Sequence, residues 1–262
     1  VNTPTPIVAA HVARDFSRAA HRYDAHALLQ QQIMETAFAK AEIYFPAQCT
    51  VLDIGCGTGN FAKKAQAHQR DWKLHGLDIA AGMLEVAGPL YSLITQSNME
   101  ALPLADNSVG AVFSSLALQW AAHPQQALTE SFRVLESGGY AIYSCFLKQT
   151  MRELNMVSEM LGVTSPVLAM HDMLSYQGWM RQAGFQIASV KRIEEVHRMP
   201  SVIALFKHLR AIGATNKHAS RPRHFTPRSE LQRLMNSYTE HFHDERGIPV
   251  TWESGIFVLK KP

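Results

Sequence analysis

Val51-Leu52-Asp53-Ile54-Gly55-Cys56-Gly57-Thr58-Gly59 is an apolar run that ends in three alternating glycines. A short apolar run bounded by glycine has the pattern of a buried strand. Alternating glycines let the backbone turn tightly and admit a ligand without Cβ atoms in the way. The spacing is G-x-G-x-G, one residue shorter than the G-x-G-x-x-G of a dinucleotide-binding loop, and Asp53 stands two positions before the first glycine. An acid there disfavours a pyrophosphate and suits a cation. Asp78 ends the next apolar run, residues 73–79, and lies 25 residues beyond Asp53. A carboxylate at that place can grip both hydroxyls of a ribose; capping the following helix is its other reading. A cation-friendly loop and a ribose-binding acid together describe S-adenosylmethionine, a sulfonium joined to adenosine.

Outward from this loop, strands and helices alternate. Residues 49–54, 73–79, 92–95, 109–115 and 140–146 read as strands, and 60–70, 82–93 and 124–135 as helices. Such alternation implies βαβ units, a parallel sheet and helices on both faces. Upstream, residues 17–44 contain no Gly or Pro and are rich in good helix formers, which predicts one or two helices. Pro4 and Pro6 suggest a mobile tail over 1–15. Downstream, helices are expected at 151–161, 172–183, 201–212 and 227–240, with strands at 185–196 and 250–260. No internal repeat is visible. The expected organisation is one domain over 16–262: a helical lid (16–45), a cofactor-binding core (46–146), acceptor-side helices with the sixth strand (147–249) and a last strand (250–262).

Composition excludes several classes. Of the 262 residues, 47% are hydrophobic and 18% charged, the reverse of what disorder requires. Three cysteines without a C-x-x-C pair argue against a disulfide framework or a cysteine zinc site. The thirteen histidines show no H-E-x-x-H spacing, so a metal is not expected. No run approaches the ~18 apolar residues of a membrane span. Residues 7–13 make a poor signal peptide, with His11 inside and Arg14, Asp15 and Arg18 directly after. The chain reads as cytosolic.

The motifs resemble a known superfamily. VLDIGCGTG at 51–59, GLDI at 76–79, Asn98-Met99-Glu100-Ala101-Leu102-Pro103-Leu104 and FRVLESGGYAIYS at 132–144 are similar to those of class I SAM-dependent methyltransferases. That resemblance implies an α/β, Rossmann-like fold. Its mostly parallel seven-stranded sheet has the order 3-2-1-4-5-7-6, with N-terminal helices and a helical insertion before the last strand. It carries Asp53, Gly55, Cys56, Gly57 and Gly59 to the methionine end of the cofactor. Asp78 and Ile79 go to the ribose, Met83 beside adenine, Asn98 and Met99 to the adenine edge, and Ser115 and Leu116 to the floor near the sulfonium. Asn98 replaces the Asp usual there, and Val109-Gly110 replaces the usual Phe-Asp. Cys56 reads by itself as a small residue that fits the loop without chemistry.

Three further stretches resemble the malonyl-acyl-carrier-protein O-methyltransferases of biotin synthesis, the BioC type. They are Phe16-Ser17-Arg18-Ala19-Ala20-His21-Arg22-Tyr23-Asp24 with His26 and Gln30, Leu116-Ala117-Leu118-Gln119-Trp120, and Leu209-Arg210-Ala211-Ile212-Gly213-Ala214-Thr215. The likeness implies methyl transfer to the free carboxylate of a malonyl thioester on a carrier protein. An ionised carboxylate needs no general base, so rate would come from alignment and from excluding water. Arg210 is the expected grip on the carboxylate, since guanidinium binds carboxylates in a fixed plane. Tyr23 and His21 are expected as a lid over both ligands.

Residues 207–233 hold Lys207, Arg210, Lys217, Arg221, Arg223, Arg228 and Arg233 against Glu230 alone, an excess of six where the whole chain has three. Such a segment would steer an acidic carrier protein, with Lys217, Arg221, Arg223, Arg228 and Arg233 as its docking residues. Nucleic acid would want stacking aromatics in the patch, and only Phe206 and Phe225 are there. Two other readings stay open: another small-molecule methyltransferase acting on a carboxylate or quinone precursor, and an RNA-binding protein on the same fold.

Overall fold

The structure, a computed structural model, describes residues 7–214 and 228–262. Seven strands form one sheet in the order β3-β2-β1-β4-β5-β7-β6. They are β1 (Gln48–Ile54), β2 (Asp71–Asp78), β3 (Leu93–Gln96), β4 (Val109–Ser115), β5 (Leu135–Phe146), β6 (Gln186–Met199) and β7 (Ile248–Lys260). The first five pair in parallel, and β7 runs antiparallel between β5 and β6. The expected sheet order is the observed one.

Burial explains the parallel part. Val51, Leu52, Asp53 and Ile54 of β1 and all of β4 up to Ser114 are buried, as strands covered on both faces must be. One face packs against α2 (Leu28–Tyr44) and α3 (Asn60–Ala67), where Phe61 stacks on Phe113 and Phe38 meets Phe61 and Trp72 edge-on. α2 buries Leu29, Ile33, Ala37 and Ala41 at steps of four, a stripe on one helix face. The other face carries α5 (Pro124–Val134) and α7 (Met173–Gln182) over Leu52, Val112 and Tyr143. α4 (Ala81–Ala87) stops earlier than the 82–93 expected and turns through a single 3-10 turn at Gly88–Leu90. β5 starts at Leu135 rather than 140.

The N-terminal boundary needs correction. α1 (Ala9–His26) begins inside the stretch expected to be a tail, because Val12 of its first turns is buried under the sheet's ligand-facing end. Residues 1–6 of that expectation lie outside the described residues.

Between β5 and β7 the chain adds α6 (Arg152–Met160), α7, α8 (Val202–Ala211) and α9 (Arg228–Phe242). The side chains of Asp172 and Ser201 cap α7 and α8, accepting from the amides of Ser175 and Ala204. α6, α8 and α9 close a third apolar cluster around Leu154, Leu205, Tyr238 and Trp252. The carboxyl ends of β1, β2, β4 and β5 all open toward this side, at the point where strand order reverses between β1 and β4. Ligands of open α/β sheets bind there. Among the described residues, no helix is long and apolar enough to cross a membrane.

Candidate functional site

A cavity lies at that end of the sheet, a common place for a small-molecule site in open α/β folds. Gly55, Gly57, Asp78, Ile79, Met83, Met99, Ser115 and Leu116, all expected from sequence, line it together. Asp78 fixes the loop as well as facing the cavity. Its Oδ2 accepts from the Gly57 amide at 2.9 Å and its Oδ1 from the Ala80 amide at 2.8 Å. Burial raises the carboxyl's pKa, opposed by these backbone donors. Gly57 has φ +53° and nothing within 4 Å of where a Cβ would stand, so its backbone is bare to a ligand. Asp78 is not the cap of the following helix: α4 begins at Ala81 with Ala80 as its N-cap and no side-chain cap bond, and the Asp78–Ala80 bond closes a turn ahead of it.

Asp53 is buried behind the loop, 2% exposed. The Tyr91 hydroxyl donates to its Oδ2 at 2.5 Å. Burial pushes the Asp53 carboxyl up to about 7; the Tyr91 bond pulls it down, and the Asp78 charge pushes it up again. Asp53, Cys56, Gly55 and Gly57 line a smaller cavity that shares Tyr23, Gln30, Ser115 and Leu116 with the first. The Cys56 thiol is raised well above its ordinary value by burial, so it is no nucleophile.

Two of the expected residues do not line the cavity. Asn98 does not line the cavity: its Oδ1 is spent on the Glu100 amide at 3.1 Å, a local turn, while Ser97 and Met99 face inward. Gly59 starts α3 at φ +82°, and a Cβ there would meet Leu90 at 2.5 Å. It packs helix against turn and does not reach the cavity. Leu116 forms the floor at φ +54°, a conformation costly for a branched residue. Its amide is held by the Ser144 carbonyl at 2.9 Å and hydroxyl at 3.2 Å.

α1 roofs the cavity with Val12, Phe16 and Tyr23. Phe16 meets Trp120 edge-on at 5.3 Å and Tyr23 at 6.3 Å. Burial, with the charges of Asp24 and Asp78, raises the Tyr23 phenol further, so it stays a neutral hydrogen-bond donor. Two contacts seat the roof. At Gly82 a Cβ would lie 2.6 Å from the Ser17 carbonyl, so α4 admits α1 only because that position is glycine. At the other end Asp24 accepts from Thr58 at 2.6 Å, Asn60 at 3.0 Å and Lys63 at 2.8 Å. Burial works against the Asp24 charge, but these bonds outweigh it and hold the carboxyl below its usual range. His21 is exposed on α1 and does not line the cavity, which corrects its place in the expected lid.

Comparison with known proteins agrees with this geometry. Residues 52–143 match the family model described as a methyltransferase domain. The malonyl-[acyl-carrier protein] O-methyltransferase of Methylococcus capsulatus is 34% identical over 87% of this chain and 84% of its own length. That of Methylovorus sp. is 32% identical over 93% and 86%. This chain belongs to the malonyl-[acyl-carrier protein] O-methyltransferase family. It also matches the biotin biosynthesis bifunctional protein BioHC of Teredinibacter turnerae at 31% identity, over 96% of this chain and 46% of that one. Among solved structures, a chain from the complex of the Haloferax volcanii Trm112 methyltransferase activator with a methyltransferase has TM-score 0.62 at 17% identity, covering 96% of this chain and 97% of that chain. Geranyl diphosphate C-methyltransferase of Streptomyces coelicolor, solved with S-adenosyl-L-homocysteine, has TM-score 0.52 at 13% identity, covering 86% and 78%. These two likenesses concern the fold.

The three stretches that resemble this methyltransferase family converge on the cavity: Phe16, Tyr23 and Gln30; Leu116, Ala117, Gln119 and Trp120; Ile212 and Ala214. Arg210 does not join them. α8 buries Val202, Leu205 and Leu209, and Arg210, 100° further round the helix, is exposed and absent from the cavity wall. The described lining holds no Lys, Arg or His. Of the expected docking residues, Arg228 and Arg233 are exposed on α9; Lys217, Arg221 and Arg223 lie outside the described residues. Sequence reading assigned no role to Asp24, Gln119 or Tyr91. Asp24 stood in a quoted motif, but its partners are 34 to 39 residues away and leave no local signal.

Proposed function

We propose that this chain transfers the methyl group of S-adenosylmethionine to the free carboxylate of malonyl-acyl-carrier protein, giving the methyl ester used in pimeloyl and biotin synthesis. The observation that carries the reading is one cavity whose wall joins Gly57 and Asp78 to Ile212 and Ala214 of the family's Arg-Ala-Ile-Gly-Ala-Thr element. The residues fit the cofactor. Gly57 is bare to the cavity, the Asp78 carboxylate has lone pairs left for ribose hydroxyls, and Met83 and Met99 offer apolar surface to adenine. Bound there, the cofactor supplies an electrophilic methyl on a positively charged sulfur.

The chain's own part is binding, orientation and exclusion of water. No residue has to take a proton, because a carboxyl with a pKa of ~4 is already ionised near neutrality. With no cationic side chain in the described wall, the oxygen that does not attack is held by neutral donors. Tyr23 donates its phenolic hydroxyl. Gln119, whose Oε1 accepts from the Phe146 amide at 3.3 Å, has its amide nitrogen left to donate. Phe16 and Trp120 close the site against water, which strengthens every electrostatic interaction inside. The carrier protein docks through the basic segment that includes Arg228 and Arg233, and the enzyme works in the cytoplasm. Incubating malonylated carrier protein with S-adenosylmethionine should add one methyl by intact mass, resistant to RNase. Transfer to free small carboxylates but not to the malonyl carrier would overturn the assignment.

A further inference from the structure

A second, much smaller chamber lies beside the cofactor cavity. Met151, Leu168 and Leu209 give it apolar walls, Trp252 of β7 stands in it, and Gln30 and Trp120 belong to both spaces. The described lining carries no charged side chain. Two polar atoms of its lining residues are buried without a partner among the described residues: Gln30 Oε1, an acceptor, and Trp252 Nε1, a donor. Trp252 is 3% exposed and sits against Phe146 with ring centroids 5.4 Å apart. Buried indole N–H groups almost always find a partner, because leaving one unmade is destabilising. An unpaired acceptor and an unpaired donor on two residues lining one uncharged, apolar chamber call for a ligand that offers both and carries no charge. A secondary amide on an aliphatic chain is such a group.

We infer that this chamber binds the pantetheine arm next to the thioester, with Gln30 Oε1 accepting from an amide N–H and Trp252 Nε1 donating to an amide carbonyl. This rests on the malonyl-thioester reading above and adds the residues that recognise what lies beyond the malonyl group. Gln30 is the junction: it lines the cofactor cavity, the loop cavity and this chamber. The arm's amide would therefore register the reacting carboxylate in the neighbouring space. Both carrier protein and coenzyme A present this arm, so the chamber recognises what they share.

The test compares kcat/KM for malonyl-pantetheine with that for malonyl S-propyl thioester, which has no amide. Wild-type enzyme should prefer the amide-bearing thioester about tenfold or more. Trp252→Phe, which keeps the ring and loses the N–H, and Gln30→Met, which keeps the length and loses the oxygen, should each cut that preference at least fivefold. Thermal melting and circular dichroism on the same samples report that they are folded. Malonyl-carrier protein and malonyl-CoA should lose by the same factor as malonyl-pantetheine in Trp252→Phe; a loss on the carrier alone would assign Trp252 to protein docking and overturn the inference. So would a wild-type enzyme with no amide preference, a measurement that needs no variant. Absence of methyl transfer to malonyl-carrier protein would instead overturn the reading beneath it.

Discussion

Asp24 on α1 accepts a 2.6 Å hydrogen bond from the hydroxyl of Thr58, inside the glycine loop. One carboxylate thus ties the roof of the cavity to the loop that would hold the cofactor, with Lys63 and Asn60 on the same group. Asp24→Ala should weaken S-adenosylmethionine binding by roughly 10- to 50-fold, mostly through faster dissociation. Asp24→Asn keeps an oxygen for Thr58 and should fall between. Calorimetry and stopped-flow release would check both; a folded alanine variant with unchanged affinity and release would remove the latch.

Asp78 holds the loop through Gly57 and Ala80 as well as facing the cavity, so its loss should exceed that of a plain ribose contact. Asp78→Ala should lower cofactor affinity by about 10- to 100-fold. Asp78→Asn should restore less than half of that in free energy, because a single amide oxygen cannot serve Gly57, Ala80 and a ribose. Unchanged affinity in the alanine variant would take Asp78 out of the site.

Asp53 should make cofactor binding depend on pH. Its folded pKa of about 7 lies far above the ordinary 3.8, so between those values the folded ligand-free protein keeps a proton that the unfolded chain has lost. This group therefore contributes most stability at low pH, and that contribution declines as pH rises toward 7. A cationic ligand favours the ionised form and reverses the trend. Affinity should rise roughly eightfold from pH 6 to 7.5, with about half a proton released per cofactor bound at pH 7. Titration calorimetry in buffers of different ionisation enthalpy reads the proton directly, and Asp53→Asn should abolish it. A flat profile in the wild type would show that Asp53 does not sense the ligand.

Arg210 is exposed and outside the described cavity wall, so Arg210→Ala should leave turnover of malonyl-pantetheine within about twofold of wild type, as for most exposed substitutions. A loss beyond tenfold would return the guanidinium to the carboxylate. Reversing Arg221, Arg223 and Arg228 to Glu should raise KM for the malonyl carrier about tenfold at low salt and blunt its salt dependence, with a smaller change for malonyl-CoA. Equal losses on both would mean support of the pocket rather than docking.

The sheet was legible because its determinants are local: apolar runs of strand length, glycines after β1, and helix-forming stretches between them. That Gly55, Gly57, Asp78 and Met83 would gather around one cavity was legible for the same reason, each being fixed by its distance from a strand end. The acceptor side was not. Choosing Arg210 needed the phase of α8, and one step along a helix moves a side chain through 100°, so the neighbours Leu209 and Ile212 face inward while Arg210 does not. Asn98 failed differently. Its chain position was right, but a short amide can satisfy the backbone two residues on as easily as a ligand. The start of α1 was hidden by Pro4 and Pro6, which say nothing of the buried place that Val12 finds in the folded molecule.

β7 lies between β5 and β6, and β6 has no other neighbour in the sheet. Synthesis therefore finishes β6 at Met199 while its partner, beginning at Ile248, is still 48 residues away. At ~5–20 residues per second on the ribosome, the gap lasts roughly 2 to 10 s. Throughout it the outer edge of β5 and both edges of a 14-residue strand are unpaired, a template for pairing with other chains. Yield on expression should depend on how fast residues 200–260 emerge, and a translational pause there should favour inclusion bodies even though the finished fold is unchanged.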